Sequence, residues 1–282
     1  MKLIESSSLI DLVKNLNTVK LSVQCEISTR YNLSTKVKEK FTLFKDFYCI
    51  GDCTFFDSFL SLIESLKITS QENMINITIW DLNKLLIDQY DSMRFTSNVI
   101  GAGGNVNCSV EWPLTIIFPN FDRYNAIMFK LLDIKKCIIE LNNQIVSTRK
   151  CIGVKAKMVH FITCFYSYIQ TDVIETLFGK LMNIESNDLQ VLKREHDFVL
   201  ETIEDCLFIK QDLKHLDKLL TGVLTQSNLF CQNTDVFNDL IFDELCGKIY
   251  RSFAGARGGK QKYLELFLTR LDFSRWFSIS SV

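Results

Sequence analysis

The stretch FDRYNAIMFKLLDIKKCIIELNNQI, residues 121–145, decides the fold class of this chain. Apolar side chains recur there at spacings of three and four residues, at Tyr124, Ile127, Leu131, Ile134, Ile138, Leu141 and Ile145. This spacing places them along one side of a helix, with charged residues on the other side. We therefore predict a helix from Phe121 to Lys150 that packs one face against other helices.

Two further long helices follow with the same spacing. One is predicted from Lys155 to Met182, with its apolar stripe at Met158, Ile162, Phe165, Ile169, Val173 and Leu177. The other begins near Asp188 and carries Leu189, Leu192, His196, Val199, Ile203 and Cys206, continuing less regularly through Leu213, Leu216 and Leu220. Long antiparallel helices with short joints form an up-down bundle.

Shorter elements flank these three helices. We predict helices at Ser8 to Leu16, Lys40 to Tyr48, Phe55 to Leu66, Ile79 to Tyr90, Asp235 to Phe253 and Lys262 to Leu271. Residues 106–118 break the helical pattern, because apolar residues alternate there and Pro113 is barred from a helix interior. The predicted fold class is all-α, with helical bundles of long antiparallel helices and a minor short β element near residues 106–118.

Composition agrees with a helical chain and narrows the function classes. The 282 residues include only 2 prolines and 11 glycines, where average usage gives roughly 14 and 20. The 32 basic and 33 acidic side chains nearly cancel, which argues against a dedicated nucleic-acid binder. The apolar runs are too short to span a membrane, and Glu5 and Asp11 interrupt any signal-peptide run, so the ten cysteines are predicted to be reduced thiols of a cytosolic protein.

Each motif that could suggest a nucleotide-binding, zinc-binding or catalytic site lacks residues that such a site requires. The loop from Gly255 to Lys260 lacks the spacing and the hydroxyl residue of a phosphate-binding loop, and a predicted helix rather than a strand precedes it. Cys49 and Cys53 lack the second ligand pair of a zinc site, which favours buried thiols. His196 lies on an apolar stripe, as a hydrogen-bonded core histidine does. We predict no catalytic residue, no metal and no cofactor, and binding rather than catalysis.

A basic cluster surrounds the predicted joint between the first two long helices. Its members are Lys135, Lys136, Arg149, Lys150, Lys155 and Lys157. Two interpretations stay open: a surface for an acidic partner, or a solvated helix end whose cations complement the helix dipole.

Five short strings, taken in order, resemble one known family. They are KDFYCIG at 45–51 with phenylalanines at 55, 56 and 59, VEWPL at 110–114 with YN at 124–125 and FKLL at 129–132, the helix 158–178 around QTDVIE at 170–175, HD at 196–197 with Leu200, and LTRLDF at 268–273. In this order they are similar to the C-terminal half of the gamma-tubulin complex component family, and most of all to its fourth component.

The resemblance implies a non-enzymatic scaffold that binds gamma-tubulin and supports microtubule nucleation. It implies the cytoplasm and cytoskeleton, at a microtubule-organizing centre such as a centrosome or spindle pole, and a part in mitotic spindle assembly. The implied partners are gamma-tubulin and other components of the complex, with no nucleic acid and no membrane. The alternative is an unrelated all-helical tether or adaptor, which the featureless bundle alone would support.

The resemblance also bears on domain organisation. An N-terminal helical sub-bundle (1–110) and a C-terminal helical bundle (111–282) would together form one gamma-tubulin-binding C-terminal domain. The family's N-terminal half is expected to precede residue 1, so the sequence corresponds to a fragment, a shortened gene model or a minimal form.

The predicted gamma-tubulin contacts come from matched motifs and expected exposure. They are Lys45, Asp46, Tyr48, Gly51 and Asp52 in the first turn, and Arg257, Lys260, Arg270 and Asp272 near the C-terminal end. Asp52-Cys53 stands where the family pattern has Arg-Gly, which reverses a charge in that turn. The expected test is that Tyr48→Ala with Arg270→Glu weakens capture of gamma-tubulin while helicity is kept.

Overall fold

Helices make up most of the computed structural model, which describes residues 33–51, 56–58, 60, 93–95, 108–110, 121–186, 188–233, 237–254 and 261–271. The helices are α1 (Leu33–Tyr48), α2 (Phe121–Asn143), α3 (Arg149–Ser167), a π-helical segment (Tyr168–Glu175), α4 (Thr176–Met182), α5 (Leu189–Cys206), a 3₁₀ turn (Gln211–Leu213), α6 (Lys214–Gln232), α7 (Asp239–Ala254) and α8 (Gln261–Leu271). The predicted all-α class is confirmed. Within these ranges no helix is both long enough and apolar enough to cross a membrane.

A small antiparallel β pair accompanies the helices. Strand β1 (Met93–Phe95) pairs with β2 (Cys108–Val110), with Met93 opposite Val110. β2 lies inside the stretch that was predicted to be extended, whereas β1 was not predicted. The predicted helices at Ser8 to Leu16 and Ile79 to Tyr90 lie outside the described residues, and 56–58 and 60 are helical as expected.

Side-chain caps fix where several helices begin. The Cys151 N–H donates to Thr148 Oγ1 at the start of α3, at 3.3 Å. The Gln190 N–H donates to Asp188 Oδ1 at the start of α5, at 2.8 Å. Each cap satisfies a backbone N–H that has no partner inside its helix.

Helix α2 is shorter than predicted, because it ends at Asn143 rather than near Lys150. The Lys155 ammonium donates to the carbonyls of Asn142 and Gln144, at 3.1 and 2.8 Å. These bonds satisfy carbonyls at the helix end and favour its termination there. Ile145, predicted on the apolar stripe, therefore lies in the joint and is 92 % exposed.

Helix α5 ends at Cys206, so its predicted continuation through Leu213, Leu216 and Leu220 is wrong. Phe208 adopts a left-handed backbone with φ 62°, and the Ile209 N–H donates to the Glu204 carbonyl at 2.9 Å. This is a Schellman cap, which usually uses glycine. Phe208 occupies it because its ring is buried against Phe165, with centroids 5.7 Å apart.

The second long helix is interrupted by the π-helical segment at Tyr168–Glu175. The predicted stripe is confirmed, since all of its members are buried. From Phe165 onward that stripe advances by four residues at each step, to Ile169, Val173 and Leu177. The wider turn of a π-helix keeps such positions on one face.

One continuous hydrophobic core joins α1 to the helices after residue 121. Aromatic rings form much of it: Phe41, Phe44, Phe47, Tyr48 and Tyr124 on one side, and Phe161, Phe165, Tyr168, Phe208, Phe253 and Phe267 on the other. The division into 1–110 and 111–282 stays a prediction.

Candidate functional site

The turn after α1 carries the first group of predicted contact residues. The Cys49 N–H donates to the Lys45 carbonyl at 3.1 Å, and Ile50 follows with a left-handed backbone of φ 57°. The chain then doubles back so closely that a Cβ on Gly51 would lie 3.1 Å from Asp46 Cα. Gly51 is thus suited to this turn because it has no side chain.

The π-helical segment holds this turn in place. The Gln170 amide donates to the Cys49 carbonyl at 2.8 Å, across 121 residues of sequence. Tyr168, Ile169, Val173 and Ile174 are buried, which leaves Thr171, Asp172 and Glu175 toward solvent. Short π-helical stretches occur frequently at functional sites, because they redirect the side chains around them.

An ion pair links α1 to the π-helical segment. The Lys45 ammonium lies 2.9 Å from Glu175 Oε1 and 3.1 Å from Oε2. It also lies 4.0 Å from Asp46 Oδ1. Glu175 is mostly exposed and Lys45 mostly covered, so the pair contributes little to stability while keeping the lysine in one orientation.

A second ion pair links α8 to the same segment. Arg270 Nε donates to Asp172 Oδ2 at 2.5 Å, and its terminal nitrogen donates to Asp172 Oδ1 at 2.8 Å and to Thr171 Oγ1 at 2.9 Å. The hydrogen bond that Arg270 donates to Asp172 raises the pKa of the Arg270 guanidinium. A two-point pair of this kind fixes the plane of the guanidinium.

These contacts tie Lys45 of the first predicted group and Arg270 of the second to the same π-helical segment. We call the exposed area around these contacts the π-segment surface and define it as Lys45, Asp46, Gly51, Thr171, Asp172, Glu175 and Arg270. A groove of ≈ 370 Å³ lies beside it, lined by Thr163, Cys164, Ser167, Thr269 and Arg270. The surface presents oriented charges next to a groove, which suits recognition of a partner.

Tyr48 does not belong to this surface, which corrects the sequence-based assignment. Its side chain has 0 % exposure, and its ring packs against Phe44, Phe47 and Tyr124. Tyr48 follows the same three-and-four spacing as Phe41 and Phe44, so it lies on the core face of α1. Asp52, Arg257, Lys260 and Asp272 lie outside the described residues.

The sequence analysis missed the acidic residues that organise the surface. Asp172 and Glu175 are the only acidic residues between 149 and 182. Two carboxylates three residues apart in an otherwise basic and apolar helix are a detectable signal for a local pairing site. They also lie within the string QTDVIE, which the resemblance had singled out only as helix.

His196 and Cys49, two of the candidate catalytic and metal residues, are core residues, whereas Cys53 lies outside the described residues. His196 is 2 % exposed, its Nε2 lies 2.5 Å from the Tyr124 hydroxyl, and its ring stacks on Phe41. Burial lowers the pKa of His196 to about 3 and raises the pKa of the Cys49 thiol. Over the ranges that the structure describes, no three potential metal-binding side chains lie together.

The basic cluster is dispersed rather than gathered at a helix end. Lys135 pairs with Asp57, Lys136 with Glu140 and Lys157 with Asp243. α2 has no basic residue in its last turn, whereas Arg149 and Lys150 lie in the first turn of α3. The interpretation as dipole-complementing cations is therefore wrong for these two, because cations are disfavoured at a helix N-terminus.

Comparison with known families gives one result. Residues 106–277, more than half of the chain, match the family model described as "Gamma tubulin complex component C-terminal". The matched region contains every helix from α2 to α8, and with them Asp172, Glu175 and Arg270. Lys45 and the turn after α1 precede it.

Proposed function

The chain belongs to the gamma-tubulin complex component family, and from this premise we propose that it is a scaffold subunit that binds gamma-tubulin and supports microtubule nucleation. It would act with other components of the complex at a microtubule-organizing centre, such as a centrosome or spindle pole. The likeness to the fourth component rests on short strings and stays a prediction.

The observation that carries this proposal is the convergence on the π-helical segment. Lys45 and Arg270, chosen from motifs more than 200 residues apart, contact the same eight-residue segment. A partner as large as gamma-tubulin needs an interface of about 1,600 Å² that spans several elements. The π-segment surface draws on α1, the π-helical segment and α8, and thus supplies such a multi-element centre.

Charge chemistry gives the proposed contact its specificity. Lys45 and Arg270 are each held by a carboxylate of the π-helical segment, so their positions are fixed before a partner arrives. Pre-positioned side chains lose little conformational freedom on binding, and this favours affinity. We propose that one interface with gamma-tubulin contacts all five charged residues: Lys45, Asp46, Asp172, Glu175 and Arg270.

The test is capture of purified gamma-tubulin by the full chain and by Lys45→Glu with Arg270→Glu. We expect capture at least tenfold weaker in this double variant, with helicity by circular dichroism unchanged. Lys45→Glu replaces Tyr48→Ala of the sequence-based design, because truncating a buried tyrosine would disturb the fold itself. The matched control is Lys214→Glu with Lys218→Glu, an equal charge change at exposed positions of α6. Equal capture by the two double variants would contradict the proposed site.

Exchanging the two charges of the ion pair distinguishes direct contact of Lys45 with gamma-tubulin from a role of Lys45 in holding the turn. Lys45→Glu with Glu175→Lys keeps an ion pair between α1 and the π-helical segment but exchanges the two charges. If gamma-tubulin reads these charges directly, the swapped chain folds normally and captures it weakly. Restored capture would mean that the pair only positions the turn, and Lys45 would then be removed from the proposed contacts.

A further inference from the structure

The outward side of α5 carries a stripe of polar side chains with one aromatic ring among them, Phe198, which is 54 % exposed. Their spacings of three and four residues place them on one side of the helix, opposite the buried Leu192 and Val199. A shallow hollow of ≈ 500 Å³ lies on this side. We call the six residues that line it the α5 face: Gln190, Lys193, Arg194, Asp197, Phe198 and Glu201.

The α5 face shares no residue with the π-segment surface. The string HD, which the resemblance singled out, is divided between the core and the α5 face: His196 is buried, whereas the Asp197 side chain is 43 % exposed. A polar helix side with one exposed ring is ordinary by itself. What distinguishes the α5 face is the order of its charges.

The cations of the α5 face precede its anions along the helix. Lys193 and Arg194 come first, and Asp197 and Glu201 follow. This order is complementary to its own reverse, which is the order that a second, antiparallel copy presents. A two-fold axis between positions 195 and 196 places Arg194 of each copy opposite Asp197 of the other, and Gln190 opposite Glu201.

Helix geometry agrees with such a pair. Positions 190, 194, 197 and 201 alternate steps of four and three, which keeps them along the seam between two helices. The two-fold rotation leaves both Phe198 rings on the same edge of that seam. The two positions are about 7.5 Å apart along the helix axis, so the two rings can contact each other.

Contacts within the chain leave the two central charges available. Arg194 is 73 % exposed and lies 3.5 Å from Glu195, and Asp197 lies 4.0 Å from Arg123. Both distances exceed the about 2.7–2.9 Å of a hydrogen bond between charged groups. A closer bond between Arg194 and Asp197 of two copies can therefore form without breaking a tight pair.

We propose that the α5 face binds the α5 face of a second copy of this chain in a symmetric, antiparallel pair, with Arg194 of each copy bound to Asp197 of the other. A helix of another protein would have to present the same charges in reverse order, which a second copy does by symmetry. The α5 face spans about three helical turns, so its area is small beside a standard interface of about 1,600 Å². The dimer is therefore weak and forms as the concentration rises.

Sedimentation equilibrium of the full chain, from about 1 to 300 μM, is expected to show monomers and dimers in equilibrium. Arg194→Glu and Asp197→Lys should each weaken the dimer at least about tenfold, because like charges then face each other across the pair. Asp197→Asn, which keeps the shape of the side chain, should weaken it several-fold. A chain that stays monomeric over this range, or charge variants that dimerise as the unmodified chain does, would overturn the proposal.

A mixture of the two charge variants tests the register of the pair. Between Arg194→Glu and Asp197→Lys, each contact of position 194 with position 197 again joins opposite charges. We therefore expect the mixture to form heterodimers about as tightly as the unmodified chain forms dimers. The matched controls are Lys214→Glu and Asp212→Lys, which reverse exposed charges outside α5 and should leave the dimer unchanged. A mixture that stays monomeric while circular dichroism shows both variants folded would overturn the proposal.

Gamma-tubulin capture separates this proposal from the proposed function. Arg194→Glu is expected to capture gamma-tubulin as the unmodified chain does, because the α5 face lies outside the π-segment surface. Loss of capture in this variant, with no dimer of the unmodified chain, would overturn the proposal and assign the α5 face to gamma-tubulin. A dimer that depends on Arg194 and Asp197, without any gamma-tubulin capture, would overturn only the proposed function.

Discussion

The π-segment surface and the first turn of α3 use charge in opposite ways. On the π-segment surface, Lys45 and Arg270 each bind a carboxylate of the same chain at 2.9 Å or less. In the first turn of α3, Arg149 has no ion pair within the described part of the chain, and Lys150 has one at 4.0 Å. The first surface is organised internally, and the second leaves its charges available to another molecule.

The two regions therefore differ in how substitutions there should affect stability and binding. The π-segment surface joins three stretches that are distant in sequence through ion pairs, so reversing its charges should alter binding. Truncating a buried ring of α1 beneath it, such as Tyr48, should instead lower stability. The first turns of α3 and α7 carry exposed side chains, among them Arg149, Ile152 and Leu240. Changes there should leave stability nearly constant.

The largest expected contrast is in stability, between Tyr48, which is buried beneath the π-segment surface, and Leu240, which is exposed at the start of α7. Tyr48→Ala removes a fully buried ring that packs on Phe44 and Tyr124 and should lower the free energy of unfolding by about 3–5 kcal/mol. Leu240→Ala, at an exposed position in the first turn of α7, should change it by no more than about 0.5 kcal/mol. Urea denaturation followed by circular dichroism measures both. Comparable losses in the two variants would show that the contrast is wrong.

A second contrast concerns pH, because the core beside α1 contains a buried histidine. His196 has a pKa of about 3 in the folded chain and about 6.5 when unfolded, so the unfolded chain binds one more proton between these values. Stability should therefore fall as pH decreases from about 6.5 toward 3, by about 1.4 kcal/mol per pH unit from this group. His196→Gln should remove that part of the slope in urea titrations at several pH values. Identical slopes would contradict a neutral, buried His196.

The smallest effect, and one of opposite sign, is expected at Arg149. Arg149→Glu exchanges a cation for an anion in the first turn of α3 and should raise the free energy of unfolding by about 0.3–1 kcal/mol at low salt. The gain should shrink in high salt, because salt screens exposed charges. Arg149→Gln serves as the neutral control, with an intermediate gain. A loss of stability in Arg149→Glu would mean that Arg149 has a structural role.

Periodic apolar spacing was sufficient to predict the main helices and their buried faces. The stripe from Met158 to Leu177 and the helix from Asp188 to Cys206 are where the pattern placed them, since core packing follows that spacing directly. The interpretation of His196 as a hydrogen-bonded core residue is confirmed for the same reason.

The errors arose where tertiary contacts override local preference. Phe208 takes a backbone conformation that usually needs glycine, because its ring is buried against Phe165 and Phe253. No pattern in the neighbouring residues predicts this conformation. Tyr48 was assigned to the surface because its motif suggested a contact, although its spacing from Phe44 already placed it on the core face. The roles of Asp172 and Glu175 depend on Lys45 and Arg270, which are too distant in sequence for a local pattern to pair.

Hydrogen–deuterium exchange of the full chain, with and without purified gamma-tubulin, tests the central claim most directly, because it alters no residue. We predict slower exchange on binding in residues 45–51, 168–175 and 261–271, and unchanged exchange in the first turns of α3 and α7. Slower exchange in those first turns, with the π-segment surface unaffected, would contradict the claim that gamma-tubulin binds through the π-segment surface.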